Sequence, residues 1–438
     1  MTNMNDVPSM REIVWSNLSQ AEARACLQRP AGMQAEAVET RTRDIVNDVR
    51  ERGDQAVFDH TQCLDNVALD DMRLDKALLE RAQDEISAEA KQAINTAYAN
   101  ITRFHEHQGY HAYTCETAKG VTCHRVVRPI DTAGLYIPGG TAPLISTTLM
   151  LGVPAKLAGC PRRVLCTPCD TQGVINQHIR YAAHLCGIDT VFRIGGAQAI
   201  AAMGYGTESV PACDKLYGPG NAYVTAAKVM LANEPGGPAI DLPAGPSEIC
   251  VIADTETEPE YAAADLLSQA EHDPLSQVML ITTSRKKSGE IIAALERRLA
   301  ELPRREIAAE AIANSLAIIA DDMEQALEIA NAYAPEHLIL GFEDTQDWLG
   351  HIRNAGSVFL ASYTPEAAGD YCSGTNHALP TYGSAHSYSG LSVEAFQKTI
   401  TVQAITQDGL DKLGPTIEIL AELEGLDAHA RAVRARYS

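Results

Sequence analysis

The chain predicts an α/β protein with parallel sheets, and three observations carry that prediction. From residue 121 onward, short β-branched runs alternate with longer segments of helical period. Alternation of this kind builds βαβ units, whose strands pair in parallel. Glycine-rich turns close several of the apolar runs, at 134–140 (GLYIPGG), 194–199 (IGGAQA) and 217–224 (YGPGNAYV). The length of 438 residues, 45% of them hydrophobic, exceeds what one core holds. It suits about two to four domains at roughly 100–200 residues each.

In chain order, residues 1–30 make a short lead, with a helical stretch at 16–26 closed by Arg29 and Pro30. Residues 34–107 read as helical nearly throughout. There, VETRTRDIVNDVRERG ends at Gly53 as a helix ends on a C′ glycine, and a second run covers 75–107. At Val121 the texture changes to CHRVVRPIDTAGLYIPGG, β-branched and then punctuated by Gly134, Pro138, Gly139 and Gly140. RRVLCTP, HIRYAAHLCG, TVFRIGG, AQAIAAMGYG, CDKLYGPG and AYVTAAKVMLAN follow, strand and helix patterns in turn. A second series runs SEICVIAD, EPEYAAADLLSQAEH, QVMLITT, a long helix near 288–302, LAIIA, EQALEIANAYA, EHLILG and SVFLA. Two α/β units in series is the simplest reading. From about Leu391 the chain reads as helical, with a break at Gly425 and Asp427 placed to cap a final helix.

Composition excludes some partners. Thirty-five basic against 57 acidic side chains give a formal charge of −22, which repels phosphate backbones and anionic lipid. Neither nucleic acid nor a membrane surface is expected as a partner. The opening MTNMNDVPSMREIVW lacks a basic region and apolar core, and no later run of about 18 apolar residues occurs, so a cytoplasmic protein is expected. Eleven scattered cysteines fit reduced thiols better than a disulfide framework. Cys166 and Cys169 form one C-x-x-C, but Cys160 and Cys186 supply no second pair for a structural zinc, so buried, inert thiols are expected.

Several local patterns carry chemistry. The glycine turns at 194–199 and 217–224 each open a helical run, where backbone amides can hold a phosphate. None of the three turns reads G-x-G-x-x-G, and glycines that only make tight βα turns explain them as well. Gln198 and Asn221 lie just beyond two of these turns, where an amide can bond a ribose or a carboxamide. In LLSQAEHDP, Gln269 and His272 are three apart in a helical run and share a face, which suits two ligands of one ion. A helical histidine satisfied by packing is the alternative. PEAAGDYCSGTNHALPTYG reads as a loop carrying Asp370 and His377, and His429 in the terminal helix is a further candidate. A mixed oxygen and nitrogen set suits zinc more than calcium or an iron–sulfur cluster.

In YAPEHLIL, Glu336 and His337 diverge as neighbours must, so they can do two jobs near one substrate. A histidine titrating near neutrality serves as general base, and a carboxylate activates water. The alternative is a Glu-His at a loop–strand junction with no role. HEH at 105–107 reads as a solvated stretch, because residues two apart on a helix do not share a face.

Taken together, SQAEHDP, APEHLI, AGDYCSGTNHALPT, GGAQAIAA, GPGNAYV, LPAGPSE and GLYIPGG resemble the histidinol dehydrogenase family, from about residue 12 onward. The resemblance implies one Zn2+ per subunit, held by Gln269, His272, Asp370 and His429. It implies an acid–base pair at Glu336 and His337, and NAD contacts at Tyr136, Gln198 and Asn221. Implied substrate contacts are Ser247, Gln269, His272, His337, Asp370, Glu424 and His429, with His377 a neighbour. The implied reaction is the four-electron oxidation of L-histidinol to L-histidine through histidinaldehyde, consuming two NAD, at the end of histidine biosynthesis. In it zinc orients the substrate's imidazole and amino nitrogens, His337 removes protons and Glu336 helps water add to the aldehyde. Glu424 suits the substrate's ammonium.

The implied fold has two incomplete Rossmann-like domains, the second inserted in the first, plus small, mostly helical terminal domains. The expected division is an N-terminal helical arm (1–30), a split first domain (31–135 and 247–390), an NAD-binding domain (136–246) and a C-terminal helical domain (391–438). The implied assembly is a domain-swapped homodimer, with Glu424 and His429 completing the partner's site. A sister dehydrogenase of a sulfonated propanediol would keep the metal and base residues, but Glu424 fits a sulfonate poorly. A non-catalytic zinc- or nucleotide-binding regulator would have no use for both Glu336 and His337.

Overall fold

The computed structural model describes residues 10–29, 35–139, 143–242 and 245–437. Its strands in chain order are β1 Arg11–Val14, β2 Tyr113–Ala118, β3 Val121–Pro129, β4 Thr132–Tyr136, β5 Arg162–Cys166, β6 Thr190–Phe192 and β7 Lys215–Tyr217. There follow β8 Ala239–Ile240, β9 Glu248–Ala253, β10 Gln277–Thr282, β11 Leu316–Ile319, β12 His337–Leu340, β13 Ser357–Leu360 and β14 Gln397–Ile405. They form a five-stranded sheet in the order β6-β5-β4-β7-β8, a six-stranded sheet in the order β1-β11-β10-β9-β12-β13, and a three-stranded sheet in the order β14-β3-β2. All pairs in the two larger sheets are parallel, and both pairs in the small one are antiparallel.

Counted from β4, the five-stranded sheet has the order 3-2-1-4-5, that of a nucleotide-binding doubly wound half. Counted from β9, the six-stranded sheet repeats it, with β1 added beyond β11. Each sheet therefore has a switch point, between β4 and β7 and between β9 and β12, where connections leave in opposite directions. The parallel α/β architecture expected from the alternating pattern is present. Its strands are legible because helices cover both faces: all six residues of EICVIA in β9 are buried, and after Glu248 the run is continuously apolar.

The helices Ala35–Arg52 and Asp54–Asp65 set Val46, Val49 and Val57 against Val164, Phe192, Ile200 and Leu216. Lys76–Glu85 and Ala88–His105 set Leu79, Ile94 and Ile101 against Leu135, Leu151 and Tyr181. Residues 35–105 thus share their core with the five-stranded sheet, whereas the division implied by the resemblance groups 31–135 with 247–390. The six-stranded sheet builds its own core with the helices Pro259–Ala270, Arg285–Glu301 and Arg305–Ala313.

Local expectations differ from the structure at several points. Among the described residues of the lead, only Gln20–Cys26 is α-helical, while Arg11–Val14 forms β1 along the edge strand β11. Short β-branched segments take the pairing that a sheet edge offers, whatever their local propensity. The terminal region is not all helical, because Gln397–Ile405 forms β14 and pairs with β3 from Pro129 back to Val121. Asp427 is the first residue of the helix Asp427–Arg434 and pairs with Arg431 at 2.6 Å instead of capping it. The expected break at Gly425 is present, with φ of +72°. His105 is buried, its Nδ1 2.8 Å from Ile101 O and its Nε2 3.3 Å from Asn376 Nδ2, so HEH is not wholly solvated. Among the described residues no helix is long and apolar enough to cross a membrane.

Candidate active site

The amino ends of β9 and β12, neighbours at the switch point of the six-stranded sheet, carry the densest group of buried ionisable side chains. Glu336 and His337 enter β12, and Glu248 opens β9. The helix Pro259–Ala270 contributes Gln269 from its last turn, with His272 just beyond it. The helix Glu366–Tyr371 contributes Glu366 and Asp370, one turn apart on one face. This last segment is helical, although its glycine and proline content predicts a loop.

His337 is 3% exposed. Its Nδ1 lies 3.0 Å from the backbone oxygen of Glu248, and donation there sets the tautomer and leaves Nε2 as the basic nitrogen. Among the described residues Nε2 has no hydrogen-bond partner, and it stands 3.5 Å from Asp370 Oδ1 and 3.9 Å from Glu366 Oε1. Glu336 is buried beside it, with Oε2 accepting from the Glu248 amide at 2.9 Å. Gly356 backs this entry so closely that a Cβ there would stand 2.6 Å from Glu336 O.

The electrostatics follow from burial. Desolvation pushes the Glu336 carboxyl up to about 8. Desolvation, then the charge of Asp370, pushes Glu366 up to about 7. For His337, burial opposes the charged form, but Glu336 and Asp370 outweigh it and raise the imidazole to about 10. Asp370 is the ionised member: burial works against its charge, and the imidazole of His337 facing it at 3.5 Å holds it well below the ordinary carboxylate range. His272 has exposed surface, yet desolvation holds its imidazole below the ordinary value.

Gln269 is oriented by its neighbours. Its Nε2 donates to Glu366 Oε1 at 2.9 Å and lies 3.2 Å from His337 Nδ1. Its Oε1 is buried without a partner among the described residues. The ligand atoms of His337, Glu366 and Asp370 lie within 4.8 Å of one another, close enough to hold one ion. Glu366 was not singled out in the sequence. Its signal was the i, i+4 spacing to Asp370, visible only once PEAAGDY is read as a helix.

The remaining expected residues fall in three places. His377 lies beside the group, with Nδ1 2.8 Å from Asp370 O and Nε2 3.1 Å from Thr147 Oγ1 on the helix Ile145–Leu157. That helix follows the carboxyl end of β4, so this bond links the buried group to the five-stranded sheet. Ser247 precedes β9, and its carbonyl accepts from the Gln277 amide at 3.0 Å. At the carboxyl ends of the five-stranded sheet, the Tyr136 hydroxyl accepts from the Gly196 amide at 3.0 Å. Gln198 is buried, donating to Asp65 Oδ2 at 3.4 Å and keeping Oε1 unpartnered. Asn221 caps the helix Ala222–Ala232, its Oδ1 accepting from the Tyr223 and Val224 amides, which leaves its amide nitrogen to donate.

Glu424 and His429 are not brought to this group. Both are exposed in the terminal helices, and no hydrogen bond or ion pair among the described residues joins either to Gln269, His272, His337 or Asp370. The expected cysteine behaviour holds in part: every cysteine is free, and burial pushes the thiols of Cys166, Cys186 and Cys213 up. Cys63, Cys115 and Cys372 are exposed.

The profile of the histidinol dehydrogenase family matches residues 28–437. A histidinol dehydrogenase of Aliivibrio fischeri is 50% identical over 427 residues, covering 98% of this chain and 96% of its own. One from Xanthomonas axonopodis pv. citri is 50% identical over 431 residues, covering 98% of this chain and 99% of its own. The crystal structure of histidinol dehydrogenase from Elizabethkingia anophelis superposes with a TM-score of 0.93 at 46% identity, covering 98% of each chain. Fold, buried site and full-length similarity agree, and the chain belongs to the histidinol dehydrogenase family.

Proposed function

We propose that the protein oxidises L-histidinol to L-histidine through the aldehyde, using zinc and two NAD in turn. The observation that carries this reading is His337: a tautomer set through Nδ1, an unpartnered Nε2, and a buried carboxyl from Glu336 at its side. In its neutral form, which a zinc ion held at Asp370 would favour by opposing the charge of the imidazolium, His337 Nε2 takes the substrate's hydroxyl proton and later the proton of the aldehyde hydrate. Glu336, whose burial brings its titration near neutrality, accepts a proton from the water that adds to the aldehyde. No thioester is required, in keeping with the thiol of Cys250 in β9, which burial pushes up, away from thiolate.

The residues fit zinc. Gln269, with its amide nitrogen engaged by Glu366 and its oxygen buried and unpartnered, presents a ligand oxygen. Asp370 presents a carboxylate, His272 an imidazole held towards its neutral form, and His429 of the neighbouring subunit the fourth ligand. When bound, zinc supplies a template for the substrate's imidazole and amino nitrogens. The NAD region fits as well, at 136–246, with the strand order of a nucleotide-binding half and the orphaned amide oxygen of Gln198 at its carboxyl edge. When bound, NAD supplies the hydride acceptor.

A homodimer completes the reading. Leu423 is 79% exposed, and Ile419, Leu420 and Leu426 beside it are exposed too, an apolar surface suited to burial against a second copy. That arrangement would carry Glu424 to the substrate's ammonium.

The direct test is NADH formation with L-histidinol and, in parallel, with sulfopropanediol. Turnover of histidinol alone is expected; turnover of the sulfonate alone would overturn the assignment. For the metal, His272→Ala is expected to lose at least about tenfold in zinc affinity, on the scale of lost metal-site interactions. Unchanged zinc content after dialysis against a chelator would rule out the ligand set.

A further inference from the structure

We propose that Arg29 is a positioning residue for Glu336 and His337, holding the entries of β9 and β12 in register with each other; the inference rests on the catalytic roles proposed above. Glu248, the first residue of β9, is 1% exposed, and a carboxylate so deep persists only when paired. Arg29 pairs it with a fork: Nε donates to Oε1 and Nη2 to Oε2, both at 2.8 Å. The Tyr382 amide adds a third bond to Oε1, at 3.1 Å.

The same guanidinium reaches the other strand entry. Nη2 also donates to Tyr333 O at 2.7 Å and approaches Ala334 O at 3.4 Å, and the group lies 3.8 Å over the Tyr333 ring. Ala334 has φ of +51°, a conformation that a residue with a Cβ adopts only when its surroundings enforce it. It stands two residues before Glu336. The turn at Tyr382 and Gly383, with φ of +57° and +74°, closes over the guanidinium, and a Cβ on Gly383 would meet Arg29 Nη1 at 3.1 Å. Two turns with left-handed residues and one buried carboxylate therefore converge on one cation.

Glu248 passes this position on through its backbone. Its amide donates to Glu336 Oε2 at 2.9 Å, and its carbonyl takes His337 Nδ1 at 3.0 Å. The carboxyl that handles water and the imidazole that handles the alcohol proton are thus both oriented by one peptide segment, which Arg29 fixes from its other side. Lysine keeps the charge but cannot span both carboxylate oxygens and the Tyr333 carbonyl in one plane.

The test is steady-state kinetics and thermal unfolding of the zinc-loaded enzyme for three variants: Arg29→Lys, Arg29→Met, and Arg29→Met with Glu248→Gln. Arg29→Lys is expected to fold with an unchanged KM for histidinol and to lose about tenfold or more in kcat, on the scale of lost supporting interactions. The double variant, freed of an unpaired buried charge, is expected to recover melting temperature over Arg29→Met while kcat stays low. A kcat that rises and falls with melting temperature across the three would reduce Arg29 to a purely structural role and overturn the proposal, as would an Arg29→Lys kcat within twofold of wild type. The unsubstituted enzyme separates the two readings: if it fails to oxidise histidinol, the reaction is misassigned. If it does so and Arg29→Lys matches it, only the positioning role falls.

Discussion

Replacing His337 by alanine is expected to lower kcat by about 10²–10⁴-fold, the usual scale for removing a general base, while zinc content stays near that of the unsubstituted enzyme. The second half of that expectation carries the discrimination. The Nε2 of His337 lies close enough to Asp370 and Glu366 for the three to hold an ion themselves. If His337 were a ligand, its loss would release metal along with activity. If it is the base, metal remains and proton transfer fails. His337→Asn sharpens the contrast, because its amide can still donate to the Glu248 carbonyl where Nδ1 now does, yet offers no basic nitrogen. Both variants are expected to bind histidinol with a KM within a few-fold of the original. Metal analysis beside single-turnover NADH formation measures both quantities on one preparation, and near-normal turnover in either variant would remove His337 from the mechanism.

The legible parts of this molecule are those whose partners lie nearby in sequence or whose environment forces a pattern. β9, β10 and β12 are covered on both faces and read as apolar runs behind one polar opening residue, so their existence needed no partner to be seen. Gln269 and His272 were visible because three residues bring two side chains to one helical face. β14 was obscured because every residue of QKTITVQAI after the half-buried Gln397 is solvent-exposed in the single chain, so the strand shows no buried face. β1 is four residues long and owes its form to β11, some three hundred residues later. The Arg29–Glu248 pair spans 219 residues and has no local signature at either end. Glu248 read only as the start of an apolar strand, and Arg29 only as the close of a lead helix. Family resemblance named the ligands and the base from motifs, but a supporting residue outside those motifs emerges only from coordinates.

Mixing two inactive variants is expected to restore activity. His337→Ala lacks the base, and His429→Ala lacks a ligand that the proposed dimer delivers to its partner. In the single chain His429 and Glu424 are exposed and unconnected to the buried group, on a terminal lobe tied to the rest mainly by the antiparallel sheet of β2, β3 and β14. Exposed leucine and isoleucine on that lobe gain most by burial against another copy. If the lobe crosses, a heterodimer of the two variants has one site with both defects and one with neither. Random reassociation makes half the dimers mixed, so about a quarter of the original activity returns in the mixture and about half in the isolated mixed dimer. If His429 instead served its own subunit, each site in the heterodimer would carry one defect and no activity would return. The experiment needs only co-expression with two affinity tags, isolation of the mixed dimer, and an NADH assay. Its outcome turns on geometry alone, because neither variant gains a group that it lacked.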